Sequence, residues 1–370
     1  MDHTLFVILV TVIVIALIFD FLNGFHDAAN AIATIVITRT LTPAQAVIMA
    51  GMAEFIGYFM GGAAVAKMIS SGIVHIDKLP TQDAQLIMIL SALIGAVTWN
   101  ILTWLWGLPS SSSHALIGGL VGSMLAAVGY GGLALKEVSF FAAASPWHFT
   151  LMLPTKILLI MAFIFIAPLL SMLCSSIFTL IIIWCFRRTR PATAGAIFKK
   201  LQLVSAAWYC TGHGRNDAQK TMGIIALAML AAGVTTATKE NPVPLQNWVV
   251  FSCYFAIALG TMFGGWRIVK TMGTKITKIR PMEGFCAESA AGLILMGTAH
   301  FGMPCSTTHV ISGSIMGVGA VEHAAKVRWN TARTILWAWI LTIPLTAIYT
   351  AIIYWMINGI YLAVKSPAIH

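Results

Sequence analysis

An all-α, polytopic membrane protein made of two inverted repeats is the architecture this sequence predicts, and three observations carry that expectation. Of the 370 residues, 59% are hydrophobic and only 9% are charged, whereas a soluble domain carries about 25% charged residues. Apolar segments recur along the whole chain, most of them close to the roughly 20 residues that a helix needs to cross a ~30 Å hydrocarbon layer. Three motifs then appear twice, in the same order.

Reading the apolar runs between Gly, Pro and charge breaks predicts helical segments over 5–38, 43–66, 84–107, 110–130 and 150–186, then 200–235, 247–270, 285–303, 306–321 and 331–363. The run Leu5 to Leu22 has no basic leader and continues into Asn23 and Asp27, so it reads as a first helix rather than a signal peptide. The first and sixth segments exceed one crossing and carry Gly and charge midway, which predicts broken helices. The fourth and ninth are short and follow Pro-hydroxyl runs, which predicts re-entrant hairpins.

Gly24-Phe25-His26-Asp27-Ala28 aligns with Gly214-Arg215-Asn216-Asp217-Ala218, and Gly57 to Lys67 aligns with Gly260 to Lys270. Gly107-Leu108-Pro109-Ser110-Ser111-Ser112-Ser113-His114 aligns with Gly302-Met303-Pro304-Cys305-Ser306-Thr307-Thr308-His309. Five segments per half is an odd number, so the second copy inserts upside down. The division expected is 1–186, a basic cytoplasmic linker 187–199, and 200–370.

Charge tests the topology. Arg39, Arg187, Arg188, Arg190, Lys199, Lys200, the bases from Arg267 to Arg280, Lys326, Arg328 and Arg333 fall on one side; Lys67, Lys78, Lys136, Lys156, Lys239 and Lys365 fall on the other. The richer side is cytoplasmic and both termini lie outside. The net charge of +10 therefore belongs to loops and orientation, not to a nucleic-acid partner. Six scattered cysteines without a CxxC pair indicate neither a metal knuckle nor a disulfide framework.

An acid at mid-membrane costs about 2.5–3.5 kcal/mol on insertion scales, so it is rarely kept there without a task. Asp27, Glu54, Asp217 and Glu288 qualify. Asp27 and Asp217 are repeat equivalents, whereas Glu54 and Glu288 align with Ile257 and Leu93. Carboxylates in such a setting bind Na⁺ or take up a proton, and either links transport to a cation gradient. Alternatively they only pair with Arg215 or Lys220 to hold helices together. Asn23, His26, Asn30, Thr34, Asn216 and Gln219 supply neutral donors and acceptors around the two Asp positions, or else interhelical hydrogen bonds.

The hydroxyl runs Ser111, Ser112, Ser113 and Ser306, Thr307, Thr308 each precede an apolar, Gly-rich helix. A helix start has four unpaired N–H groups and the positive dipole end, so N–H and O–H groups there suit an oxyanion. Two such ends related by inversion can converge on one tetrahedral anion. The plainer alternative is capping and back-bonding by Ser and Thr. His114 and His309 close the motifs as packing or substrate-facing residues.

The runs from Gly24 to Thr34 and from Gly214 to Gly223, the Glu54 helix, Gly284-Phe285-Cys286-Ala287-Glu288 and both hydroxyl-His motifs together resemble the inorganic phosphate transporter (PiT) family over nearly the whole chain. The resemblance implies a multi-pass plasma-membrane symporter for inorganic phosphate, and a homodimer. Phosphate would meet Ser111, Ser112, Ser113, Ser306, Thr307, Thr308, Asn30, Gln219 and Lys220, while Asp27, Asp217, Glu54, Glu288, Asn216 and His26 would serve coupling. No cofactor is expected beyond co-transported H⁺ or Na⁺.

Sodium-coupled members read Asn-Asp-x-Ala-Asn-Ala in both repeats, whereas this chain has His26-Asp27 in the first and Ala218-Gln219-Lys220 in the second. That resembles the bacterial, proton-linked branch. Lys220 stands at the repeat position of Asn30, where its ammonium substitutes for a bound cation. The alternative is a sodium site at Asp27 and Asp217, and sulfate is an alternative substrate. An anion channel would not need four intramembrane acids. A hydrolase is disfavoured because neighbours such as Ser113 and His114 point about 100° apart on a helix.

Overall fold

The structure is a computed structural model that describes residues 2–140, 149–238, 243–264, 279–322 and 327–365. The first half contains α1 (His3–Ile37), α2 (Pro43–Met60), α3 (Ala64–Gly72), α4 (Gln82–Trp106), α5 (Ser112–Val128) and α6 (Thr155–Phe186). The second contains α7 (Pro191–Ala231), α8 (Asn247–Phe263), α9 (Pro281–His300), α10 (Thr307–Glu322) and α11 (Trp329–Lys365). A small antiparallel hairpin, Lys136–Phe140 with Phe149–Leu153, lies between α5 and α6.

Helices α1, α4, α6 and α11 are long and apolar enough to cross a bilayer, and α2 with α3, bent by 86° at their break, is a broken span or a re-entrant loop. Their outer faces are apolar, with Leu169, Leu173 and Leu180 of α6 and Ile348, Ile352 and Trp355 of α11 exposed. Meanwhile Asp20, Asp27, Glu54, Asp217, Lys220 and Glu288 are buried. An apolar exterior around a charged interior suits lipid, not water, as the surrounding solvent.

The break expected in the first and sixth segments is not there, because α1 and α7 are each continuous. Several of their polar side chains find partners across the bundle, as Asn23 does on Asp217 and Asn30 on Thr308, without either backbone ladder opening. The break lies in the second segment instead, at Gly61 and Gly62 with φ of 63° and 105°. The new helix start is then capped by Gln219, whose Oε1 accepts from Val65 N at 3.0 Å. The short helices α5 and α10 do follow their Pro-hydroxyl runs. Basic segment 187–199 turns and, from Pro191, is already helical as the opening of α7. The aligned stretch Gly260 to Lys270, the bases between 267 and 278, Lys239 and Lys326 lie partly or wholly outside the described residues.

The halves are related by an antiparallel two-fold. Asn23 reaches Asp217 while Asp27 faces His213, a pairing in which residue numbers rise on α1 as they fall on α7. The packing is exchanged in the same way: α1 lies on α8 and α7 on α2, while α5 lies on α11 and α10 on α6. The contacts recur position by position. A Cβ at Gly24 would sit 2.2 Å from Ile257 O, and one at the equivalent Gly214 would sit 2.7 Å from Glu54 O.

The Val74–Leu133 bridge, the Lys365–Asp83 contact and the approach of Gln82 to Gly233 gather at one end of the bundle. Thr38 with Gln202, and Phe198 with Phe186 and Phe285, mark the other end. Arg39, Arg187, Arg188, Arg190, Lys199, Lys200 and Arg280 all fall within a few residues of these second contacts, so the basic residues gather at this end of the bundle, the end that the charge rule expects to face the cytoplasm.

Candidate functional site

A polar seam runs along the contact between α1 and α7. On α1, Asp20, Asn23 and Asp27 are spaced i, i+3 and i+7 and so share one face. Asn23 Nδ2 donates to Asp217 Oδ2 at 3.0 Å. Asp27 lies 3.0 Å from His26 Nδ1 and 3.7 Å from His213 Nε2, and accepts from Thr307 Oγ1 at 2.9 Å. Toward the basic end, Thr34 joins a cluster with Ser205 and Glu288, and Thr38 donates to Gln202 at 2.8 Å.

His213 is the hub. Its Nδ1 is 2.7 Å from Glu54 Oε1, and its Nε2 is 3.7 Å from Asp27 and 3.6 Å from Asp217. Ligand atoms of Asp27, His213 and Asp217 lie within 4.8 Å of one another. An imidazole N–H turned between two carboxylates, or a cation bound among them, is a way of meeting the same negative charge.

The two hydroxyl-rich helix starts converge on this seam. Lys220 Nζ donates to Asp217 at 2.6 Å, to Ser113 Oγ at 2.5 Å and to Cys305 O at 2.9 Å, so one ammonium ties the α5 start to the α10 start. Reciprocally, Asn30, the repeat equivalent of Lys220, donates to Thr308 Oγ1 at 2.8 Å, and Thr308 donates to Ser110 O at 3.1 Å. Both starts follow a glycine in the left-handed region, Gly107 at φ 64° and Gly302 at φ 71°, a conformation that suits glycine and turns the chain into the next helix. Ser111 and Ser306 are caps, accepting from His114 N and His309 N. The rings of His114 and His309 stand 4.8 Å apart, and Trp339 stacks on His309.

Several polar atoms at these starts are buried without a hydrogen-bond partner: Ser112 Oγ, Asn30 Oδ1, His114 Nδ1 and His309 Nε2. Buried polar groups are normally paired. A cluster of unpaired ones at two converging helix starts is suited to a polar ligand.

Of the expected site residues, the structure brings together Asp27, Asp217, Glu54, His26, Asn30, Lys220, Ser113, Thr307 and Thr308, with Ser112 beside them. It separates others. Glu288 lies two turns along α1 from Asp27, bound by Thr34 and Ser205 at 2.5 Å each and Gln202 at 3.1 Å. Gln219 caps α3, and Asn216 donates to Thr298 and to Met303 O. Arg215 is 3.8 Å from Met296 Sδ and makes no salt bridge among the described residues. Sequence reasoning missed Asp20, Gln202, Ser205 and His213. For His213 the signal was present, since it stands one helical turn before Asp217 and aligns with Asn23.

Comparison with known proteins supplies the family. The Phosphate transporter family matches residues 23–197 and 187–350. The chain belongs to this family. It is 46% identical to the probable low-affinity inorganic phosphate transporter of Rhizobium meliloti (strain 1021), over 96% of this chain and 98% of that one. It is 39% identical to the protein of the same description from Bacillus subtilis (strain 168), over 96% and 99%. Among solved structures it resembles that of the sodium-dependent phosphate transporter, with a TM-score of 0.80 and 25% identity over 96% of this chain and all of that one. As a member of the phosphate transporter family, the chain is a multi-pass plasma-membrane protein.

Proposed function

We propose that this phosphate transporter is a cation-coupled symporter that imports inorganic phosphate and is driven by protons. The observation that carries the reading is the convergence of the α5 and α10 starts, with Lys220 fixed between them and Ser112, His114 and His309 left unpaired beside it. Helix N–H groups and hydroxyls suit the phosphate oxygens. The carboxylates Asp27, Asp217 and Glu54 set a negative charge next to an anion site, so phosphate enters favourably only with compensating positive charge. Part of that charge is built in. Lys220 holds Asp217 directly where the first repeat has neutral Asn30, and this supports a proton rather than a sodium ion as the remaining partner.

The cycle follows from the two-fold arrangement. Phosphate and its protons enter at the interface of the repeats, and rocking of one half against the other moves the opening from the outer to the cytoplasmic end. Side-chain bonds across α1 and α7 are the contacts that such a motion exchanges.

The test is uptake of labelled phosphate into proteoliposomes under an imposed pH gradient and, separately, an imposed Na⁺ gradient. Accumulation with the pH gradient alone supports the reading. Sodium-dependent uptake that a protonophore leaves unaffected would overturn the proton assignment and put this chain with its sodium-dependent solved relative. Sulfate uptake in place of phosphate would overturn the substrate.

A further inference from the structure

Asp20 has no place in the functions described so far. It is fully buried, and neither carboxylate oxygen makes a hydrogen bond. Opposite it on α7, Thr221 is equally buried and its hydroxyl is also unpaired. Every other acid in the seam has partners: Asp27 has His26 and Thr307, Asp217 has Asn23 and Lys220, Glu54 has His213, and Glu288 has Thr34, Gln202 and Ser205. Asp20 is the rung nearest the outer end, two turns or roughly 10 Å along α1 from Asp27.

From the geometry we infer that Asp20 is a proton-binding carboxyl, the outer proton acceptor of the coupling machinery. A carboxylate enclosed with only the Thr221 hydroxyl beside it and no cation bonded to it is poorly compensated charge, and a proton is the one ligand that removes the charge without needing further ligands. Sodium is poorly matched here, because a hard cation collects several oxygen ligands, while the α8 side of this site presents Cys253 and Tyr254. Repeat symmetry sharpens the assignment, since the counterpart of Asp20 in α7 is Cys210. One acid at this level therefore serves the outer half of the path and has no mirror image in the inner half.

The titratable groups around Asp20 are mixed in sign, two carboxylates and one imidazole. From α7, Asp217 and His213 face Asp20, and from α2, Glu54 does so. Lys220 is held by Asp217. From α4 the only titratable side chain is Asp83, which is bound to Lys365 and Tyr361. Helices α9 and α10 meet the inner half of α1, through Glu288 at Thr34 and through Thr307 at Asp27. With the outer path open, a proton leaves bulk water and forms an O–H bond on the Asp20 carboxylate. With the path closed, the neutral acid is buried beside Thr221, and opening inward lets that O–H bond break and returns the proton to cytoplasmic water along the seam.

This inference rests on the proton-linked reading, and two measurements separate the failure of each. In infrared spectra of the purified full-length protein without phosphate, Asp20→Asn is expected to remove a protonated-carboxyl C=O band that the parent and Asp20→Glu both show. In proteoliposomes, one unit of pH gradient is worth about tenfold accumulation per coupled proton; the Asn variant is expected to lose that factor and the Glu variant to keep it. An unchanged infrared band in Asp20→Asn, or full gradient-driven accumulation by that variant, overturns the inference. A band lost as expected in a protein that moves no phosphate would overturn the substrate reading and leave Asp20 as a proton site. Thermal unfolding of both variants shows whether the fold is intact.

Discussion

Asn23 and His213 occupy equivalent places in the two halves, and each reaches across the interface to the other half's aspartate, Asn23 to Asp217 at 3.0 Å and His213 to Asp27 at 3.7 Å. The relationship is symmetric in position and asymmetric in chemistry. A neutral amide serves one aspartate, whereas a titratable ring serves the other and also holds Glu54 at 2.7 Å. Glu54 in turn aligns with Ile257, which is apolar. The second half of the pair is thus a charged version of the first.

Replacing His213 by Asn copies the first half into the second and leaves Glu54 buried without its partner. Breaking a buried pair on one side costs about 3–5 kcal/mol, so the unfolding midpoint of purified His213→Asn is expected to fall clearly. Adding Glu54→Ile, the residue type of the equivalent position, should recover most of that loss without restoring phosphate uptake. Recovery of uptake in the double variant would show that the Glu54–His213 pair is scaffold only.

The fold was largely legible because membrane helices announce themselves by length and hydropathy, and duplication makes each landmark check the other. Convergence of Ser113 and Thr308 followed from that symmetry. What could not be read was which partners the residues that break it would find. Glu288 aligns with Leu93, and its partners Thr34, Gln202 and Ser205 align with Ile224, Val12 and Ile15, so its polar cluster has an apolar mirror image and no alignment points to it. Gln219 is expected at the phosphate site as a neutral group close to Asp217 in sequence, yet residues two apart point in different directions on a helix, and it caps α3 instead. Asp20 was hidden in an apolar run, and only burial without a partner sets it apart.

Lys220→Asn restores the residue of the first repeat and removes the ammonium from Asp217, Ser113 and Cys305 O. Hydrogen bonds to charged groups contribute about 1.5–3 kcal/mol each, so at least a tenfold loss of uptake in sodium-free medium is expected. If Lys220 stands in for a cation, added Na⁺ should recover part of the loss in this variant and do little for the parent. Uptake kinetics with and without Na⁺ measure this, and equal sodium insensitivity of both proteins at full rate would refute it.

Thr34→Val removes one donor from Glu288 while keeping the side-chain shape. A loss of about 1.5–3 kcal/mol in stability is expected, because the donor serves a buried acid. The cluster is separated from Asp27 by two turns, so the apparent KM for phosphate should stay close to that of the parent while the maximal rate and its cation dependence change. Measuring KM and rate over a series of cation gradients distinguishes this from a direct phosphate contact, for which KM would rise.

Gly118 and Gly313 are repeat equivalents on α5 and α10, and both are pressed against a long helix of the other half. A Cβ at Gly118 would lie 2.1 Å from Thr346 Oγ1 and 2.6 Å from Ile343 O, and one at Gly313 would lie 2.3 Å from Pro168 O. Backbone carbonyls cannot step aside as a side chain can, so Gly118→Ala and Gly313→Ala are each expected to destabilise by about 1–3 kcal/mol through overpacking. Gly297→Ala is the control, since nothing beyond its own helical turn and chain neighbours lies within 4 Å of the added methyl and helix propensity alone should stabilise by up to about 1 kcal/mol. Thermal unfolding of the three variants in one detergent gives the order directly. Because α5 and α10 also carry the hydroxyl-rich starts, the two destabilised variants should lose phosphate uptake at temperatures where Gly297→Ala retains it, which would tie the seating of these helices to the site at their ends.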